Sequence, residues 1–90
     1  MTRTTLEDRA EATAGNLRSA ALDAGMVVSG DARVSESDAA VLLGYAARYL
    51  AQLRLEGKGP TAYGRGLNGC RVSYRLTDLA EWIESAREDW

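Results

Sequence analysis

Apolar positions along this chain fall into four stretches of helical spacing and one that alternates. Leu6, Ala10, Thr13 or Ala14, Leu17 and Ala21 recur once per turn amid polar or small residues, which predicts a helix over residues 4–24. Thr4 or Thr5 can cap it, and Glu7, Asp8 and Glu11 stand in its first turns, where the helix dipole favours anions. Gly25 is a natural stop. The stripe is narrow and rich in alanine, so it suits close helix packing, either against the rest of the chain or against the same helix of a second subunit.

The chain is organised around Ser35 to Glu56. Ser35 is a cap residue with Asp38 three positions on, an acidic near-match to a capping box. Ala39, Ala40, Leu42 and Leu43 form one apolar face, Gly44 supplies a tight turn, and Leu50 and Leu53 form the face of a second helix. This spacing predicts two short helices joined by a turn, the helix-turn-helix pattern. Upstream, the apolar run Met26-Val27-Val28 reads equally as a linker or a small strand.

Glu56-Gly57-Lys58-Gly59-Pro60 ends the second helix firmly. Thr61-Ala62-Tyr63 and Cys70 to Arg75 are strand-like, and Asn68-Gly69 between them is a strong hairpin signal. The alternation sets Val72 and Tyr74 on one side and Arg71, Ser73 and Arg75 on the other. Thr77 is expected to cap a last helix from Asp78 to about Glu88, with Leu79, Trp82, Ile83 and Ala86 inward. Trp82 and Tyr74 are expected in the core, and Arg75 is expected to pair with a nearby acid such as Asp78. The order predicts a mainly α fold with a small β-hairpin, a winged helix-turn-helix with an extra N-terminal helix. Residues 1–33 would be the N-terminal helix and linker, serving docking or dimerisation, and residues 34–90 the winged domain.

Ninety residues allow one domain with a single modest core. No apolar run approaches the roughly 18 residues that span a bilayer, and Glu7 and Asp8 stand where a signal peptide would be apolar. A cytoplasmic protein is expected, without membrane contact. The single cysteine, Cys70, fits a reducing compartment and is expected as a half-buried strand residue. Histidine is absent, which removes the commonest general base and metal ligand. The expectation is therefore no enzyme, no metal and no cofactor.

Charge changes the picture more. The net charge is −2, yet residues 1–38 carry four arginines against seven acids, residues 39–76 carry six cations against Glu56 alone, and residues 77–90 carry Arg87 against five acids. A positive middle between acidic ends is the footprint of one face meeting phosphate. On the second central helix, Ala47, Arg48, Ala51 and Gln52 share the outward side. There arginine can read guanine, glutamine can read adenine, and the small alanines permit close approach. Arg54 and Lys58 at the helix end suit phosphate, and Arg65, Asn68 and Arg71 on the wing suit backbone or minor groove. Tyr45 and Tyr49 are open to packing or to backbone contact. Gly64, Gly66 and Gly69 spell the dinucleotide-binding fingerprint, but a strand follows them rather than a helix, so that reading fails.

Several runs together are similar to the small MerR-like winged helix-turn-helix proteins, among them phage excisionases and AlpA-like regulators. They are Asp38 to Gly44, Leu50, Arg54 to Pro60, Arg71 to Leu79, and Trp82, covering about Val34 to Glu84. The resemblance implies binding to double-stranded DNA, with the second central helix in the major groove and the wing on the adjacent backbone or minor groove. It makes Ala47, Arg48, Ala51 and Gln52 base-facing, and Arg54, Lys58, Arg65 and Arg71 backbone contacts. Excisionases bend DNA in several copies so that a recombinase complex assembles, which implies a homo-oligomer and a recombinase or other phage protein as partners. The family usually has a β-branched residue and then Ser or Thr after the turn glycine; here Tyr45 and Ala46 stand there. Two alternatives stay open. One is a protein-interaction module contacting a phage or host protein through the acidic N-terminal helix. The other is a DNA-packaging adaptor resembling a terminase small subunit.

Overall fold

The computed structural model describes residues 5–88. Thr4 as an alternative cap, and Trp90, expected either loose or over the N-terminal helix, lie outside the described residues. Helix α1 spans Leu6–Asp23 and starts with a full capping box. The Thr5 hydroxyl accepts from the Asp8 N–H at 3.0 Å, and the Asp8 carboxylate accepts from the Thr5 N–H at 3.3 Å. Ala10, Leu17 and Ala21 are buried, Ala14 packs beside them, and Leu6 stays exposed. This stripe lies along the last helix. The Thr13 hydroxyl donates to Glu84 at 2.9 Å and Arg9 pairs with the same carboxylate at 3.4 Å, which ties the two helices at their polar margin.

A three-residue strand, β1 (Arg33–Ser35), follows a turn over Ser29 to Ala32, and the Met26–Val28 run forms no strand. Ala32 takes a positive φ of 62°, costly for a residue with a Cβ. Its carbonyl is thereby used, accepting the Leu76 N–H at 2.8 Å. Ser35 ends β1 and caps helix α2 (Glu36–Leu43), its hydroxyl accepting from the Asp38 N–H at 3.1 Å. Gly44 closes α2 with φ 78°, the left-handed conformation that glycine adopts without penalty. Helix α3 (Ala47–Leu55) follows with Ala46 at its cap and no side-chain hydrogen bond there.

The second strand, β2 (Ser73–Arg75), pairs antiparallel with β1, Arg33 opposite Arg75, Val34 opposite Tyr74, and Ser35 opposite Ser73. The expected pairing of 61–63 with 70–75 is reduced to isolated bridges, Tyr63 with Ser73 and Leu67 with Cys70. The physical reason is competition: the buried Val34 and Tyr74 lie opposite each other, so the longer ladder forms where apolar burial accompanies it. Ser73, expected outward, is fully buried because it sits between Tyr63 and Ser35, and its hydroxyl accepts from Arg33 Nη1 at 2.8 Å.

The last helix, α4, spans Leu76–Ser85 and not Asp78 to Glu88. Thr77 is inside its first turn instead of capping it. The cap residue is Arg75, whose side chain makes no capping bond, and the Leu76 N–H is satisfied by the Ala32 carbonyl. Leu76 and Ala80 join Leu79 in the core; Trp82, expected in the core, is only half-buried, at the margin. Its indole N–H donates to the Lys58 carbonyl at 3.2 Å, a polar partner that holds the ring at the surface. Over the described residues the result is a mainly helical fold, four helices with a small two-stranded antiparallel sheet, around Val34, Leu50, Tyr74 and Leu79, each fully buried. No helix of the described residues is long and apolar enough to cross a membrane.

Candidate nucleic-acid interface

Helix α3 is anchored from one side only. Leu50 is buried completely and Leu53 partly, while Ala47, Arg48 and Gln52 are exposed and Ala51 is half-exposed. Positions 47, 48, 51 and 52 thus form a continuous outward strip, since residues three and four apart are neighbours on a helix. Arg48 makes no ion pair or side-chain hydrogen bond among the described residues. Gln52 is engaged locally, its amide donating to Glu56 at 3.3 Å, and Glu56 also lies 3.7 Å from Lys58 Nζ. Tyr45 and Tyr49 meet edge to face at 5.0 Å beside the start of α3, both partly exposed, and Tyr45 leans on Trp82 at 6.2 Å.

Arg54 behaves differently from its neighbours on the strip. Its Nε donates to Glu36 Oε2 at 2.7 Å and its Nη2 to Glu36 Oε1 at 3.3 Å, a two-point grip from α3 to α2. The Tyr74 hydroxyl donates to the same Oε2 at 2.7 Å, bringing in β2. Burial alone would push the Glu36 carboxyl up, but the bonds from Arg54 and Tyr74 outweigh it and hold it below its ordinary range. Burial and then the Glu36 carboxylate push the Tyr74 phenol well up. Arg54, anticipated as a phosphate contact, is therefore employed in fixing α3 against α2 and the sheet. Glu36 was missed, because nothing local in the sequence marks an acid whose partners lie 18 and 38 residues away.

The segment expected as a wing runs from Thr61 to Val72. Asn68 and Gly69 both have positive φ, 51° and 85°, the combination that a two-residue primed turn requires. Leu67 and Cys70 exchange both backbone hydrogen bonds across it, at 2.9 and 3.0 Å. Arg65, Asn68 and Arg71 are exposed around this turn, and neither arginine is ion-paired among the described residues. The Gly64, Gly66 and Gly69 run lies wholly in this loop, with α4 starting only at Leu76. Cys70 is half-buried and reduced, with Ser37 Oγ 3.4 Å from its sulfur. The hydrogen bond from Ser37 draws the thiol below its ordinary value.

Arg75 stays outside the candidate interface, with a partner other than the one expected. It reaches Asp31 at 3.3 Å instead of Asp78, and its guanidinium lies 5.1 Å from the centre of the Tyr63 ring. Asp78 shares its helix but follows the cap residue by three positions, whereas the ladder sets Arg75 beside the 29–32 turn. Asp31 also grips Arg33 Nε at 2.8 Å; Arg33, then Ser29 and Arg75, hold its carboxyl far below the usual range. Among the described residues, no group of three or more His, Cys, Asp or Glu side chains is placed to hold a metal ion. Compared with known proteins, the chain matches no family model and no curated protein at a significant level.

Proposed function

We propose that this chain is a DNA-binding protein of winged helix-turn-helix type, excisionase-like or a transcription regulator of phage or mobile-element kind. In this reading α3 enters the major groove and the wing rests on the adjacent backbone or minor groove. The observation that carries it is the division of the cations. Arg9, Arg33, Arg54 and Arg75 are spent on carboxylates within the fold. Arg48, Arg65 and Arg71 are exposed and unpaired among the described residues, and with the exposed Lys58 they belong to α3 and the loop that follows it. The order β1, α2, turn, α3, wing, β2 agrees with the plan, since β1 and β2 close the base of the unit that carries these residues.

Arg48 and Gln52 are the base readers in this reading, with Ala47 and Ala51 allowing approach. Lys58, Arg65 and Arg71 hold phosphate, Asn68 supplies a polar contact at the wing tip, and Arg54 acts from behind by fixing α3. Three or four phosphate contacts give affinity for random duplex that falls roughly 40- to 150-fold between about 50 and 200 mM salt. Fluorescence anisotropy with a labelled duplex measures this. Arg65→Ala and Arg71→Ala are expected to lower the salt slope by about one unit each. Arg48→Ala is expected to relax preference among selected sequences at a cost of about 1–3 kcal/mol. Absence of binding at about 50 mM salt, where non-specific affinity is strong, or indifference to all three substitutions, refutes the proposal.

A further inference from the structure

A groove of about 730 Å³ runs between the first turns of α1, residues 59–61 and α4. Its floor is apolar, made by Leu6, Ala10, Pro60 and Trp82. Leu6 is 45 % exposed, whereas Ala10, Leu17 and Ala21 of the same stripe are buried. The rim is acidic. Glu7, Asp78 and Glu81 line this groove, and a smaller hollow beside it repeats Glu7 and Glu81 and adds Glu11. Among the described residues, no lysine or arginine side chain lines either one. Asp78 Oδ2 is shut off from water and has no hydrogen-bond partner among the described residues.

We propose that this groove docks a segment of another protein that carries one apolar anchor side chain flanked by lysine or arginine. Charge complementarity selects that occupant. Nucleic acid is repelled by the carboxylates, and a second copy meeting through this same face would set its own Glu7 and Glu81 against them. A metal ion lacks a ligand cluster among the described residues, and it would leave the apolar floor uncovered. The anchor covers Leu6 and Trp82 while the flanking cations meet Glu7, Asp78 and Glu81. No residue of α3 lines the groove, and Thr61 is the one residue of the 61–72 segment that does, so the inference does not rest on the DNA reading.

The test is an NMR titration of the full chain, labelled with ¹⁵N, with three short synthetic peptides. One has leucine flanked by lysines and arginines, one has alanine in place of that leucine, and one has glutamates in place of the cations. The basic leucine peptide is expected to shift the amides of residues 5–10 and the Trp82 indole resonance, the last distinguished from Trp90 by Trp82→Phe. Glu7→Gln and Glu81→Gln, both at exposed positions, are each expected to weaken it about threefold to fivefold, the upper range for an exposed ion pair. Their spectra show directly whether the fold is kept, and their affinity for duplex DNA should not fall. The proposal is overturned by no shift at about 1 mM peptide, by equal binding of the alanine or glutamate peptide, or by shifts confined to α3 and the wing. It is equally overturned by shifts that follow protein concentration without peptide, which would make a second copy the occupant.

Discussion

The Glu36 carboxylate joins three elements, and removing its charge tests whether that junction holds α3 in place. In Glu36→Gln the shape is kept while Arg54 loses a two-point ionic grip and Tyr74 loses a charged acceptor. Hydrogen bonds to charged groups are worth about 1.5–3 kcal/mol each when sheltered. The Glu36 side chain is 15 % exposed and that of Arg54 is 30 % exposed, so water recovers part of the loss. The expected cost is about 2 kcal/mol. Tyr74→Phe leaves Arg54 on the carboxylate and should cost about 1 kcal/mol. Because Glu36→Gln weakens the bond that Tyr74→Phe removes, the double variant should cost about 1 kcal/mol less than the two combined. Urea unfolding followed by circular dichroism gives all three values, provided the slope with denaturant stays constant. A cost under about 0.5 kcal/mol for Glu36→Gln, or a coupling near zero, would make the pair an ordinary surface contact and refute the reasoning. The pH dependence supplies an independent sign. Folding holds the Glu36 carboxyl below its ordinary value of 4.5. Its contribution is therefore fully present above that value and is lost as pH falls through the lower folded-state value. The wild-type chain should lose stability below about pH 4.5 more steeply than Glu36→Gln. Asp31, depressed in the same direction, keeps some of that slope in both proteins.

Leu50→Ala empties a site with no exposure at the centre of the core and should cost about 2.7–5 kcal/mol in the same unfolding assay. Ala46→Ser gives α3 the side-chain cap it lacks and should raise stability by about 1 kcal/mol. Ala46→Asp should stabilise similarly, yet weaken duplex binding by placing a negative charge where α3 would meet phosphate. Equal binding by the Ser and Asp variants would place the start of α3 away from DNA.

Helix existence was legible in the sequence because caps and periodicity agree locally. Thr5 and Ser35 cap through their hydroxyls, Gly44 turns because it has no Cβ, and the Asn68-Gly69 turn forms as its dipeptide requires. What escaped is non-local. The strand Arg33–Ser35 is too short to show a period of two, and its partner is about 40 residues away. The same separation hid the roles of Glu36, Arg54 and Arg75. Each looks like a solvent-facing charge until the ladder and the α2–α3 turn bring its partner near. The start of α4 was misplaced because a threonine is a good cap in isolation, whereas the Ala32 carbonyl satisfies the helix from across the sheet. At the site, exposure of Ala47, Arg48 and Gln52 follows from the spacing of Leu50 and Leu53, which is local. The withdrawal of Arg54 is not.

The β1–β2 ladder has a consequence for the continuity of the chain. The described chain before residue 61 is joined to that after residue 72 by this ladder and by α1 lying along α4, among other contacts. The loop between them lies outside both joints and is exposed at Gly64, Arg65 and Gly66. A single cut after Arg65 would therefore sever the polypeptide without parting the molecule. It would leave two complementary halves, neither of which keeps Val34 and Tyr74 covered without the other.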